Sequence, residues 1–454
     1  MSAPLIISVS GLRGEVGKTL TPEVAIRYAI AFSLSIPGNA PFVITWDGRN
    51  SGSLFADAVS AALNAVGRPT LVGGVAATPT CGVLIRSLGA AGGIQISASH
   101  NPIEFNGLKL FSGEGRVIPK REGEKVLETY RALERGELVP PWRTPGELGR
   151  RGAVADTVSA HMCAVLETVD PELIAAKGFR VLLDSNHGAG AVLGKPLLER
   201  LGCEVICMGE EPNGEFAHTP EPTAANLAGI LEKVRAAKVD AAFCQDPDAD
   251  RLAVIDENGR YIGEEYTVAI CAKHKLAKKA GPVVINCATS RMTLDVAESF
   301  GVAGRRSPVG EANVVDLLLA ENAVFGGEGN GGPIDPAVGL VRDSFVGMAN
   351  ILEAMTMRGV PVSALADELP AYAIIKEKAH LPADRVAETL DRLEANYTEY
   401  RTDRSDGLRV DFPDRWVLVR ASNTEPIVRI IAEALDACSA QALCDEIRAF
   451  IEPE

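Results

Sequence analysis

A chain of 454 residues with 46% hydrophobic content is long enough for several buried cores, roughly two to four domains of ordinary size. Its formal net charge of −15 sets an overall field that repels nucleic acid and anionic membrane surfaces, so an anionic ligand needs a locally positive cleft. No apolar run reaches the ~18 residues of a membrane span, and Met1-Ser2-Ala3-Pro4 lacks the basic and apolar regions of a leader, which predicts a cytoplasmic protein.

The nine cysteines are odd in number and include no C-x-x-C, a pattern that points to packed thiols rather than disulfides or a cysteine zinc site. Near the start, Gly11-Leu12-Arg13-Gly14-Glu15-Val16-Gly17-Lys18-Thr19 imitates a nucleotide-binding loop. That motif needs Gly where Leu12 stands, so the phosphate cradle is excluded. Phe42-Val43-Ile44-Thr45-Trp46 reads as a strand entering the turn Asp47-Gly48-Arg49, and a helix is expected from Ser53 to Val66. Leu71 to Gly74, a helical stretch through Leu84 and Ile85, and Gly93 to Ile96 continue an alternation that argues for α/β layers.

Between Ile96 and the apolar run Leu108-Lys109-Leu110-Phe111 lies Ser97-Ala98-Ser99-His100-Asn101-Pro102. Asn101-Pro102 and Asn106-Gly107 form turns and present the Ser99 hydroxyl at a bend, where it serves as a nucleophile, carries a phosphate or merely caps the turn. An amphipathic helix is expected from Lys120 to Glu137, then a Pro-rich linker at 140–145, with a domain boundary near 155.

The second unit opens with an expected helix from Asp156 to Val169. Phe179 to Asp184 and, later, Pro282 to Asn286 repeat the strand-to-turn pattern seen at Asp47, which predicts three related α/β units. Asp246, Asp248 and Asp250 alternate along a loop between Ala241-Ala242-Phe243-Cys244 and Leu252-Ala253-Val254-Ile255. Three carboxylates so close need a cation, and all-oxygen ligation suits a hard ion such as Mg²⁺. An EF-hand is excluded by Arg251 at its glycine position and by strand-like flanks; a solvated acidic loop is the remaining bland reading. Gly327-Glu328-Gly329-Asn330-Gly331-Gly332 follows the apolar run Ala323-Val324-Phe325 and by composition alone reads as a flexible loop.

The last unit shows strand-like Ile374-Ile375-Lys376, a helix from Val386 to Tyr397, and Trp416 to Arg420. Arg420, Ser422, Asn423, Thr424 and Arg429 then gather guanidinium, hydroxyl and amide donors suited to phosphate oxygens, or to a polar hairpin.

In order, character and spacing these four loops resemble the α-D-phosphohexomutase superfamily, and the resemblance spans essentially the whole chain. It implies three similar mixed-sheet α/β domains (1–155, 156–260 and 261–370) plus a smaller C-terminal α+β domain (371–454) around a central cleft. It implies Ser99 as the phosphorylated residue, Mg²⁺ held by Ser99, Asp246, Asp248 and Asp250, and Arg251 facing the phosphate. Lys109 is the first candidate for proton transfer, with His100 and Arg13 in support. Glu328 and Asn330 would recognise the sugar, and the Arg420 loop would hold the substrate's own phosphate.

The sugar loop departs from the usual G-E-x-S-G-H pattern, with Asn330 for Ser and Gly332 for His, and Ala312 stands where many members are basic. The activity implied is interconversion of a sugar 6-phosphate and 1-phosphate through a bisphosphorylated intermediate, with a hexose or hexosamine 1,6-bisphosphate as activator. The protein would act as a monomer or homodimer. The E-G-N-G-G loop favours glucosamine phosphate over the phosphomannomutase/phosphoglucomutase alternative. A non-catalytic sugar-phosphate sensor and a metal-dependent phosphatase are the competing classes.

Overall fold

The computed structural model of the chain describes residues 4–8, 11–421 and 427–452. The first sheet has seven strands in the order Ile6–Ser8, Gly11–Glu15, Phe105–Ser112, Gly92–Ile96, Phe42–Trp46, Thr70–Val75, Arg151–Ala153. The last four in this order are parallel to one another, and Phe105–Ser112 joins them antiparallel. Gly92–Ile96 and nearly all of Phe42–Trp46 are buried, as expected of parallel strands covered on both faces by helices.

The second sheet orders Leu252–Asp256, Ala241–Gln245, Arg180–Asp184 and Glu204–Met208; the third orders Gly304–Ser307, Val283–Asn286, Phe325–Glu328 and Gly332–Ile334. Each is parallel except for one antiparallel edge strand, Leu252–Asp256 or Gly332–Ile334. The fourth sheet is antiparallel throughout, in the order Ala373–His380, Ile427–Ala434, Trp416–Ala421, Leu408–Asp411, Arg401–Asp403. Three α/β domains and a C-terminal α+β domain are therefore present, with strand-to-turn repeats at Asp47, Asp184 and Asn286.

Three local expectations are corrected. The helix expected from Asp156 to Val169 is shorter, Ser159–Leu166, because the Asp156 carboxylate accepts from the backbone N–H of Val158 and Ser159 and turns the chain first. The loop expected from Gly327 starts later, because Phe325–Glu328 is a strand, which puts Glu328 at a strand end. Glu137 lies beyond the helix Lys120–Glu134, which closes at Arg135.

Helix Ser344–Arg358 is buried along almost its whole length. Asp343 caps it by accepting from the N–H of Phe345 and Val346. One apolar cluster, from Ala77 to Leu369, collects this helix together with helices and strands of the second and third units. A buried polar strut ties it to the first unit: His161 Nδ1 lies 2.9 Å from Thr80 Oγ1 and Nε2 lies 2.7 Å from Asp343 Oδ2. Phe345 is fully buried and meets the His161 ring edge-on at 5.3 Å. Phe345→Ala is expected to remove about 3–5 kcal/mol from the urea-induced unfolding free energy, and a loss under about 1 kcal/mol would contradict this packing.

Candidate active site

The Ser99 loop is shaped by a residue that sequence reading treated only as part of a turn. Arg49 is 1% exposed, and its guanidinium donates to Asp47 Oδ2 and to the carbonyl oxygens of Ser99, Asn101, Pro102 and Phe105 at 2.6–3.0 Å. A guanidinium has five N–H groups, and here each has an acceptor. Phe216 of the second unit covers it at 4.9 Å. Held this way, Ser99 adopts φ +50°, a left-handed conformation that costs about 1–3 kcal/mol for a non-glycine residue and recurs at functional sites. The Ser97 hydroxyl supports the bend, donating to Asp47 Oδ2 and accepting from Ser99 N.

Ser99 Oγ donates to Asp246 Oδ2 at 2.9 Å and lies 3.3 Å from His100 Nδ1. Asp246, Asp248 and Asp250 are fully buried and offer oxygens within 4.8 Å of one another. Lys109, on strand Phe105–Ser112, donates to Asp248 Oδ2 at 2.5 Å and Asp250 Oδ2 at 2.9 Å, and Thr78 Oγ1 adds a 2.5 Å bond to Asp248 Oδ2. Asp248 Oδ1 and Asp250 Oδ1 remain buried without a hydrogen bond, the latter with Arg251 Nε 4.0 Å away. Two unpartnered carboxylate oxygens beside a third carboxylate fit a divalent cation, since an orphaned buried acceptor is otherwise costly.

Burial, then the charges of Asp248 and Asp250, pushes the Asp246 carboxyl well above its ordinary range. Burial also acts to raise Asp248, but Lys109 outweighs it and holds that carboxyl low. Burial would depress Lys109; Asp248 and Asp250 reverse this and keep it an ammonium. His100 is pushed down to about 2 by burial and then by Arg251 and Arg13, so its ring is neutral. Arg13, paired across the sheet with Gly107, is depressed by burial and feels Asp248 and Arg251, which places it in the same cluster. Arg251 donates through its backbone N–H to Asp246 Oδ1 and through Nη1 to Glu221 Oε1 at 3.3 Å.

Glu328 accepts from Asn286 Nδ2 at 2.7 Å and Gly310 N at 3.2 Å on one oxygen and from Arg342 at 2.9 Å on the other. On the fourth sheet, Lys378, Arg429 and Arg420 stand directly opposite one another on three adjacent strands. Like charges in such positions destabilise a sheet unless an anion joins them; Asp406 engages Arg420 at 3.0 Å. Ser422, Asn423 and Thr424 lie outside the described residues. Arg49, Thr78, Glu221, Arg342 and Lys378 were missed by sequence reading; only Arg49, next to the repeated strand-end Asp, had a local signal.

The chain matches the phosphoglucomutase/phosphomannomutase alpha/beta/alpha domains I, II and III over residues 5–137, 159–259 and 264–372, and the C-terminal domain over 374–450. It is 37% identical to a phosphoglucomutase/phosphomannomutase of Thermococcus kodakarensis, covering 93% of both chains. A probable phosphoglucosamine mutase of Methanopyrus kandleri is 33% identical over 96% of this chain and 95% of its own length. The crystal structure of a putative phosphomannomutase from Thermus thermophilus superposes with a TM-score of 0.83 at 26% identity, covering 99% of this chain and all of that one. Fold and site thus define an α-D-phosphohexomutase, an isomerase. The chain belongs to the phosphoglucomutase/phosphomannomutase family. Among the described residues no helix is long and apolar enough to cross a membrane.

Glu265 is the second residue of the helix Glu264–Lys278 and lays its carboxylate against Gly329 of the Glu328 loop, where a Cβ would fall 2.0 Å from Oε2. Oε2 accepts from Ser290 N, while Oε1 is buried without a partner. Burial pushes this carboxyl up to about 8, against the opposing charge of Lys376. An unfolded chain releases the proton near 4.5, so between these values the folded state binds more protons, and stability falls as pH rises through that window. Glu265→Gln should therefore raise Tm relative to wild type increasingly from pH 5 to pH 8; a difference that does not change with pH would rule the shift out.

Proposed function

We propose that this mutase interconverts the 6-phosphate and 1-phosphate of a hexosamine, glucosamine phosphate in the first place, through a phosphorylated Ser99 and a bisphosphorylated sugar. The observation that carries the reading is Ser99 Oγ, held in a strained bend 2.9 Å from Asp246 beside two unpartnered carboxylate oxygens. Asp246, Asp248 and Asp250, with Ser99 Oγ, would hold Mg²⁺, which supplies charge compensation during phosphoryl transfer.

Such transfer asks the protein mainly for positioning and electrostatics. Arg420 and Arg429, with Ser422, Asn423 and Thr424, dock the phosphate already on the sugar, and Lys378 extends the basic row. Arg251 faces the phosphoryl group on Ser99. Glu328 and Asn330 take the sugar hydroxyls. The sugar's free hydroxyl attacks phosphorus as the bond to Ser99 Oγ breaks; the Lys109 ammonium gives a proton to the departing Oγ and regains one from the attacking hydroxyl, with His100 and Arg13 fixing the geometry. The bisphosphorylated sugar turns over and returns its other phosphate to Ser99. A 1,6-bisphosphate from solution primes an unphosphorylated chain.

The E-G-N-G-G loop and the name of the Methanopyrus relative support glucosamine phosphate. The name of the Thermococcus relative supports the second reading, glucose and mannose phosphates. Protein incubated with Mg²⁺, a trace of glucose 1,6-bisphosphate and, separately, glucosamine, glucose and mannose 6-phosphates should form 1-phosphate fastest from glucosamine by ³¹P NMR. Comparable rates on glucose or mannose would favour the second reading, and inorganic phosphate alone would indicate a phosphatase. Chelation should stop turnover, and Asp248→Ala should slow it by ~100-fold or more, the loss of several kcal/mol of charge stabilisation. Full activity in either case would remove the metal assignment.

A further inference from the structure

Gly332 begins the edge strand Gly332–Ile334, and the room beside its Cα is taken by another residue. A Cβ built there would lie 2.4, 2.8 and 3.0 Å from Cδ, Cγ and Cβ of Arg342. These are stem atoms rather than a free side-chain end, and they are held at the far side. Arg342 Nε donates to Glu311 Oε2 at 2.8 Å, Nη1 to Glu328 Oε2 at 2.9 Å, and Nη2 to Asp250 Oδ2 at 2.6 Å. With the Asn330 amide turned so that its oxygen faces the guanidinium, Oδ1 also accepts from Nη1 at 2.7 Å. The Arg342 side chain is 11% exposed, so moving it would strand three largely buried carboxylates without their shared cation.

We propose that Arg342 is a positioning residue of the sugar site, occupying the space a side chain at 332 would need and fixing Glu328 against the metal-binding loop through Asp250. The geometry gives it this leverage. One Glu328 oxygen is held by Asn286 and Gly310, so Arg342 on the other oxygen locks the carboxylate plane and leaves only its outward lone pairs for a sugar hydroxyl. The same guanidinium spans the Glu328 strand end, the Glu311 helix start and the aspartate loop, and neutralises three carboxylates that would otherwise repel one another. Lysine cannot reproduce the bridge, because an ammonium lacks the planar fork that reaches three carboxylates at once.

The inference rests on the assignment of Glu328 to sugar recognition, so it is tested in two ways, one independent of turnover. In a Tm cycle, Gly332→Ala should lower Tm in the wild-type background and leave it unchanged or raised when Arg342→Ala has emptied the space. An equal loss in both backgrounds would overturn the steric part. In a kinetic cycle with glucosamine 6-phosphate, Arg342→Ala should lower kcat/KM by about 10- to 100-fold, and Arg342→Lys should recover little of it. Combined with Glu328→Gln, Arg342→Ala should lower kcat/KM no further than the worse single variant, whereas losses that multiply would show that Arg342 does not act through Glu328. A wild-type chain inactive on every sugar phosphate would remove the mutase assignment, and the Tm cycle would still decide whether positions 332 and 342 exclude each other.

Discussion

The structure turns on the contact between Lys109 Nζ and the carboxylates of Asp248 and Asp250. Three carboxylates with no solvent exposure would each carry several kcal/mol of desolvation if left uncompensated. Beside the second unit's own Arg251, two cations come from outside it: Lys109 from the first and Arg342 from the third. The charge balance at the loop thus adds a polar junction of three separately wound units to their apolar packing, and the nucleophile candidate Ser99 is joined to it by its bond to Asp246. An arrangement that satisfies the aspartates also assembles the site.

The scaffold makes this convergence possible because each unit presents its polar loop at the carboxyl end of parallel strands, where α/β sheets bind ligands. Ser99 follows Gly92–Ile96, Asp246 follows Ala241–Gln245, and Glu328 closes Phe325–Glu328. The adjoining antiparallel strands return the chain through the site a second time. This return places Lys109 opposite Gln95 and starts the edge strand at Gly332. The fourth sheet adds a row of basic side chains instead of a strand-end loop.

Much of this was legible locally. The three aspartates and the Ser99 loop are short polar interruptions of apolar strands, and the strand-to-turn repeat at Asp47, Asp184 and Asn286 announced three α/β units. The residues that govern these loops were not legible, because their roles are made by tertiary contact. Arg49 is 50 residues from Ser99 in sequence, and Arg342 is 92 from Asp250. Helix Ser344–Arg358 is apolar on nearly every face, so it shows no amphipathic period to read. The strand Phe-Gly-Gly-Glu was hidden by its glycines. Glu265 stands in an acidic first turn beside Glu264, and only its approach to Gly329 reveals a buried acid.

Everything in the chemistry depends on Ser99 being the residue that receives the phosphoryl group. Peptide mapping by mass spectrometry, after the protein has been treated with glucose 1,6-bisphosphate and Mg²⁺, reads this directly. A single stable phosphate on the peptide containing Ser99, localised by fragmentation to its side chain and absent from Ser99→Ala, is the predicted result. A phosphate on Ser97, His100 or any other residue, or stoichiometric labelling that survives in Ser99→Ala, would contradict the account.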